Sequence, residues 1–591
     1  MNIVHLLSQN HLTGAEVYAA TLVREQILNK NHVYQISNGF FYPTTAVKIQ
    51  RDVETRSRIA FIKNILWLRN FLRKEDIAVV HTHSRAAAKL GFWATFGTGT
   101  ALVSTVHGVQ HSSFSKKLFN QYGRFIIAVC ENVKRQLMRD FSYREGPIKV
   151  LPNPVSSESF RFTESAATGK IAVIGRTTGP KKTRTAQVFR SLENSKLELF
   201  LVGGSLEDLD LPPKLAKRIT EIQAPNLTSD NYSAFSVVVG SGRVCIEALL
   251  TGTPCIAFGE ALYCGLVTPE NYQLAKQSNF GDIQPGSLTP QLPIDQFMHD
   301  LEKAAHSTAK KVLSELARED FSPAVVNARI QRLYESAVFL KRHAAWIPVL
   351  MYHKVPDQEL QSKHKIFVTK NNFEKHLLYF KERGFETITF DEISAFRRGE
   401  KNFSQFPKKP LVLTFDDGYR DNLENASPLL KKYGFTAQLF LLADPQIASN
   451  SWDAGGNETA SEILSGTERQ QWLTSAFSVG SHGFSHQKIT ALTGDQALAE
   501  LAHSKEVLEG EFKKKVPVFA FTYGITVPAS EALAEKAGYD YAVNTDSGGL
   551  LMEEQPFAVF RANIFPDESR WSLWKKTSSW YRRYYYFKRK K

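Results

Sequence analysis

The stretch Pro410-Leu-Val-Leu-Thr-Phe-Asp-Asp-Gly418 runs from an apolar strand into two adjacent carboxylates, and Ser481-His-Gly-Phe-Ser-His486 follows downstream. The pair lets one carboxylate hold a metal while its neighbour works as a base. His482 and His486 stand at i and i+4, which on a helix puts both imidazoles on one face within reach of one cation. One carboxylate and two imidazoles leave coordination positions open for water and substrate, as a catalytic metal requires. Asp-Gly alone is a common turn, and His-x-x-x-His alone is common on a solvated helix face. Their joint occurrence, each at the edge of an apolar stretch, points to a metal-dependent hydrolase in this half of the chain.

With 591 residues, 43% hydrophobic and 22% charged, the chain can build three or four domains with sizeable cores. The start, Met1 to Leu7, lacks the basic residues and long apolar core of a secretory signal. No stretch approaches the ~20 apolar residues of a membrane span. Four cysteines (Cys130, Cys245, Cys255, Cys264) without CxxC spacing suit a reducing cytoplasm and argue against both a disulfide framework and a thiolate metal site. The net charge of +14 asks for an anionic partner. No nucleic-acid motif accompanies it, so nucleic acid is not the expected partner. The tail Trp580-Tyr-Arg-Arg-Tyr-Tyr-Tyr-Phe-Lys-Arg-Lys-Lys591 interleaves rings with cations, a composition suited either to an anionic membrane surface or to a solvated terminus.

Alternation of short apolar strands with amphipathic helices organises the rest. Residues 1–160 carry expected strands at Asn2–Leu7, Val33–Ser37, Ala78–His83, Ala101–His107, Phe125–Val129 and Lys149–Leu151. A polar stretch, Ser156 to Gly169, precedes a second alternating unit (161–342) with strands at Lys170–Gly175, Leu197–Gly203, Val237–Gly240 and Pro254–Phe258. A third unit (343–570) opens at Ile347-Pro-Val-Leu-Met-Tyr-His-Lys354, and the aromatic and basic tail covers 571–591. The expected class is α/β: a two-lobed, twin Rossmann-like region followed by a distorted (β/α) barrel.

In the first half, Leu12-Thr-Gly-Ala-Glu16 lies between a strand and a helix, where Gly14 permits close backbone approach and the helix start offers N–H groups to an anion. Arg176 and Lys181 (or Lys182) flank the turn after the second lobe's first strand and can neutralise a diphosphate. Glu247, in Gly240-Ser-Gly-Arg-Val-Cys-Ile-Glu-Ala-Leu249, can accept from ribose hydroxyls or cap its helix.

These pieces, with His81-Thr-His83, Ser104-Thr-Val-His-Gly108, Ile126-Ile-Ala-Val129 and Val150-Leu-Pro-Asn-Pro154, resemble the family 4 retaining glycosyltransferases of the GT-B fold over residues 1 to about 340. The resemblance implies donor binding by Arg176, Lys181 and Glu247, a place for His107 beside the transferred sugar, and close backbone approach at Gly14. His81 and His83 are read as structural strand-end residues. Members often carry a second glutamate eight positions before the first; here that position is Val239, which implies an altered sugar contact. No metal is expected in this half.

Residues 347–565 resemble the NodB-like polysaccharide deacetylases, the family 4 carbohydrate esterases, through Thr414-Phe-Asp-Asp-Gly418 and His482-Gly-Phe-Ser-His486. The resemblance implies Asp417, His482 and His486 as ligands of a divalent metal, with zinc the first choice and iron, cobalt or nickel also suited to the site. It implies Asp416 as base. Phe519-Ala-Phe-Thr-Tyr-Gly524 resembles a family loop, so the Tyr523 N–H is expected to serve an oxyanion, and Thr522 in place of proline is expected to loosen that loop. The late segment Ala558-Val-Phe-Arg-Ala-Asn-Ile564 has no histidine where many members carry one. Likeness to members that begin, as here, with a Met-Tyr-His element implies His353 as the acid, and Arg561 is expected to orient Asp416 in place of the arginine of the family's third motif. Together the halves suggest a cytoplasmic bifunctional enzyme of bacterial surface-glycan assembly, peripheral to the inner membrane. It would transfer N-acetylhexosamine from a nucleotide sugar to a lipid-linked or lipopolysaccharide-core acceptor and remove an N-acetyl group; alternatively one half is a glycan-binding module.

Overall fold

The computed structural model describes the chain except for residues 12, 111–120, 142, 144–147, 164–168, 224–226, 286–289, 344–345, 402–404, 454–457, 475–476, 525–526, 546–547 and 590–591. Leu12 of the first turn and the last two lysines of the tail therefore lie outside the described residues. The chain forms two compact units, Met1–Lys341 and Arg342–Lys591.

The first unit holds two sheets. Strands β1 (Asn2–Leu6), β2 (His32–Ser37), β3 (Val47–Gln50), β4 (Val79–Thr82), β5 (Ala101–Val106), β6 (Phe125–Ala128) and β7 (Ile148–Val150) lie parallel in the order β3-β2-β1-β4-β5-β6-β7. Strands β8 (Lys170–Ile174), β9 (Glu198–Val202), β10 (Ile219–Ile222), β11 (Val237–Gly240), β12 (Cys255–Phe258) and β13 (Tyr263–Leu266) follow in the order β10-β9-β8-β11-β12-β13, antiparallel only at β13. Strand order reverses between β1 and β4 and again between β8 and β11. Such switch points open a crevice at the carboxyl ends of the strands, where α/β folds bind ligands. Sequence patterning missed β3, β10 and β13. The first two are edge strands with exposed polar side chains, and β13 contains Gly265, so none presents a buried apolar run.

The second unit is one curled parallel sheet. Strands β14 (Val349–Tyr352), β15 (Glu386–Thr387), β16 (Pro410–Phe415), β17 (Gln438–Leu441), β18 (Ser478–Ser481), β19 (Val518–Ala520), β20 (Tyr541–Val543) and β21 (Ala562–Asn563) run β20-β19-β18-β17-β16-β14-β21, with β15 beside β16. The segment ending in β21 bonds to both edges, through Val543↔Val559 and Leu350↔Ala562. Curling thus brings the first and last strands onto one seam. All six residues of β16 are buried, as expected of a strand covered on both faces. Each large apolar side chain so buried contributes ~1.5–3 kcal/mol. The tail is built into this unit: Leu573 joins its core, and Arg582 is buried with its guanidinium 3.9 Å from the Phe560 ring.

Candidate active site

Four elements of the second unit converge on a pocket of about 330 Å³. Asp416 and Asp417 end β16, His482 follows β18, Tyr523 follows β19, and His353 follows β14. The carboxylate Oδ1 of Asp417 lies 3.2 Å from His482 Nε2 and 3.3 Å from His486 Nε2. It makes no well-formed hydrogen bond, although all three side chains are buried. Three donor atoms that approach this closely without bonding fit the shell of a cation. The Nδ1 of His482 lies 2.8 Å from the carbonyl of Ala520, an acceptor, so it carries the proton and leaves Nε2 as a lone pair. The residues present fit a divalent metal.

The two histidines converge by a route the spacing did not anticipate. The segment after β18 is not helical. Gly483 takes φ 92° and His486 φ 61°, and the Glu500 carboxylate accepts the N–H groups of Phe484 and Ser485, both at 2.9 Å. A left-handed turn at glycine, pinned by one carboxylate, replaces the expected helix face. His486 is then held by stacking on Trp452 (4.1 Å between centroids) and by the Tyr523 ring at 4.9 Å.

Arg561, fully buried on the seam, grips both oxygens of Asp416 at 2.5 and 2.8 Å and also donates to the Asn544 carbonyl. Burial raises the pKa of Asp416, but Arg561 and His482 outweigh it and hold the carboxyl below its usual range. Burial likewise raises Asp417, and its two histidines bring it well below the ordinary value. For His482 burial lowers the pKa, yet the two aspartates raise it overall. For His353 burial wins over the same carboxylates, and its pKa falls. Tyr523 sits in the left-handed region (φ 59°, ψ 4°), a strained backbone of the kind found at ligand clamps. Thr522 does not loosen that loop: its buried hydroxyl donates to the Gln487 carbonyl at 2.6 Å and ties the Tyr523 loop to the histidine loop. Trp452, Asp453 and Glu500 escaped the sequence reading, because no spacing rule links them to either motif.

In the first unit a cavity of about 1020 Å³ runs from the helix Gly14–Leu28 to the switch point of the second sheet. Gly175 and Arg176, after β8, and Arg243 and Glu247, on the helix after β11, line it. Gly242 must take φ 56° there, and a Cβ would meet Asp282 at 2.7 Å. Lys181 stands outside this lining, tied to Asp282 and to the Ser241 hydroxyl, both at 3.2 Å. The cavity's other cations are Arg24 and Arg243, the latter directly behind the glycine turn. Glu247 already accepts from Arg243 and from the Tyr232 hydroxyl, each at 2.6 Å, so a ligand would share its remaining lone pairs. Gly14 opens its helix behind a Thr13–Glu16 capping box, and a Cβ there would meet nothing within 4 Å among the described residues.

His107 also lies outside the cavity lining, edge-on to Tyr18 at 4.9 Å, with a buried Nε2 that has no partner among the described residues and a pKa lowered by burial to about 4. Beside it His5, His81 and His83 cluster closely enough to share an ion, but both nitrogens of His5 and of His81 and the Nε2 of His83 are engaged in hydrogen bonds, while His83 Nδ1 is buried without a partner among the described residues. His5 bonds Gln26 and His83, and His81 bonds Tyr334 and Thr105. Gln26 gives its amide N–H to Tyr334, so its carbonyl takes the His5 Nε2 proton. His5 therefore accepts from His83 at Nδ1, and both rings are neutral. The cluster is a buried polar network that stitches β1, β4 and β5 to the helices Gly14–Leu28 and Pro323–His343.

Compared with known proteins, residues 404–542 match the Polysaccharide deacetylase family and residues 12–159 match Glycosyltransferase Family 4. A Bacillus subtilis protein named "Putative polysaccharide deacetylase YxkH" is 28% identical over 225 residues, 38% of this chain and 74% of the relative. A poly-beta-1,6-N-acetyl-D-glucosamine N-deacetylase of Staphylococcus aureus is 22% identical over 203 residues, 34% of this chain and 68% of the relative. A glycosyltransferase structure from Rickettsia africae is 17% identical with a TM-score of 0.45, covering 57% of this chain and 98% of its own. The chain joins a Glycosyltransferase Family 4 region to a polysaccharide deacetylase domain.

Proposed function

We propose that the chain is a bifunctional enzyme of surface-glycan synthesis, transferring an N-acetylhexosamine from a nucleotide sugar and removing an N-acetyl group from a sugar. The observation that carries the second activity is the approach of Asp417 Oδ1 to both Nε2 atoms at 3.2 and 3.3 Å, beside an arginine-held Asp416. A divalent metal, zinc first, bound by Asp417, His482 and His486 supplies a Lewis acid for the amide carbonyl and makes water more acidic. Asp416, kept ionised by Arg561, accepts a proton on an oxygen lone pair that the guanidinium leaves open. The Tyr523 N–H steadies the oxygen of the attacked carbonyl. His353, neutral at rest, takes up a proton and delivers it to the leaving amine nitrogen. The substrate class is supported by the Staphylococcus aureus relative, named for N-acetylglucosamine polymer deacetylation.

The first unit would bind the donor diphosphate through Arg176, with Lys181 released from Asp282, and its sugar through Glu247 and His107. A nucleotide donor puts the work in the cytoplasm, and a lipid-linked or lipopolysaccharide-core acceptor puts it next to the inner membrane. Among the described residues no helix is long and apolar enough to cross a membrane. The tail helix Ser579–Arg589, which exposes Trp580, Tyr584 and Phe587, would make peripheral contact. A second reading, a non-catalytic glycan-binding first unit, is favoured by the engagement of Lys181 with Asp282. The test is mass spectrometry of product from purified protein, UDP-N-acetylhexosamine and acceptor. A gain of one hexosamine lacking acetyl is expected; a gain that keeps its acetyl excludes the second step, and no gain excludes the first.

A further inference from the structure

The helices Arg58–Lys74 and Arg85–Thr95 pack side by side next to the first sheet. Their facing residues do not account for what they expose. Ile59, Ile62 and Leu66, at i, i+3 and i+7, share one outward face of the first helix, and Trp93 and Phe96 extend it from the second. These five side chains are 43–69% exposed, a concentration of large apolar groups that a surface does not carry without a use.

The charge on the two helices themselves has one sign, with carboxylates beyond their ends, as at Glu54 and Glu75. The two helices bear seven cations (five on the first, Arg85 and Lys89 on the second) and no carboxylate. Arg58 and Lys63 flank the isoleucines, while Arg69 donates to the carbonyls of Trp93 and Phe96 at 3.3 and 2.7 Å and locks the helices into one surface. Nucleic acid would use the cations but not the aliphatic side chains, and a second protein would not require so uniform a charge. Apolar groups ringed by cations match the headgroup layer of an anionic bilayer.

A cavity of about 840 Å³ lies at the edge of this surface, lined by Arg85, Lys89 and Trp93, by one carboxylate, Glu54, and by Ser8 and Ser84 at the carboxyl ends of β1 and β4. We infer that this face docks the first unit on an anionic lipid surface and that the cavity receives the polar head of an acceptor whose lipid stays in the bilayer. The acceptor assignment rests on the transferase reading; the docking does not, and it is distinct from the contact proposed for the tail.

The test is co-sedimentation of the full chain with vesicles rich in phosphatidylglycerol, against phosphatidylcholine alone, with no transfer assay involved. Binding to the anionic vesicles that weakens with salt is expected. Ile62→Glu with Leu66→Glu should weaken it about tenfold or more, and Arg58→Glu with Lys63→Glu comparably. All four positions are exposed, so circular dichroism should be unchanged. The inference is overturned by an absence of anionic-vesicle binding, or by affinities within about twofold of the parent in both variants. It is equally overturned by a concentration-dependent dimer that these variants abolish, since a second copy would then cover the face.

Discussion

Arg561 and Asp416 are the pair on which the second unit's pocket depends, because neither has another partner able to replace the first. With both side chains buried, Arg561→Ala leaves a carboxylate stranded away from water, and such losses cost ~3–5 kcal/mol. Urea denaturation of the variant should register that fall; a loss under ~1 kcal/mol would mean water reaches Asp416. His353 poses a different question, since it touches the pocket without joining the metal-ligand cluster. His353→Ala should lower deacetylation at least ~100-fold while metal content stays at the parent level. Turnover that survives the change would remove His353 as the proton donor.

Elements position these residues in two contrasting ways. The histidine loop owes its shape to Glu500, a residue of the helix Gly494–Phe512 that never enters the pocket. Glu500→Ala frees two backbone N–H groups and lets His486 drift, so metal affinity should fall ~10–100-fold while far-ultraviolet dichroism is kept. Unaltered affinity by isothermal titration would show that the Trp452 stack alone holds the ring. The first sheet's histidine network makes a pH prediction. Its members stay neutral when folded, with His5 and His107 lowered to about 4 from an ordinary 6.5. A lowered folded pKa means the unfolded chain binds the proton first. Stability is therefore fully present above pH 6.5 and is lost as pH falls toward 4, by up to ~1.4 kcal/mol per unit and per group. Denaturation midpoints of the first unit should drop between pH 7 and 5, and a flat profile there would contradict buried neutral rings.

Across the whole molecule, two chemistries with different needs share one chain. On the proposed reading, donor binding in the first unit would rely on side-chain cations, whereas amide cleavage would rely on a metal ion. A chelator should abolish acetate release and leave sugar transfer within about twofold, and zinc should restore the loss. Equal loss of both activities would show that the first unit needs a metal too.

The α/β alternation, the two regions and the Asp-Asp and His-x-x-x-His pairs were readable along the chain, because buried parallel strands are continuous apolar runs and because the members of each pair are close neighbours in sequence. Arg561 was readable only through family likeness, standing 145 residues from the carboxylate it holds. Glu500, Trp452 and Arg243 had no such marker, and Lys181 was assigned to a donor although Asp282 already holds it. Local patterning reports which side chains must be buried. It cannot report which buried or charged groups meet, because that depends on how the sheets curl and where their strand order reverses.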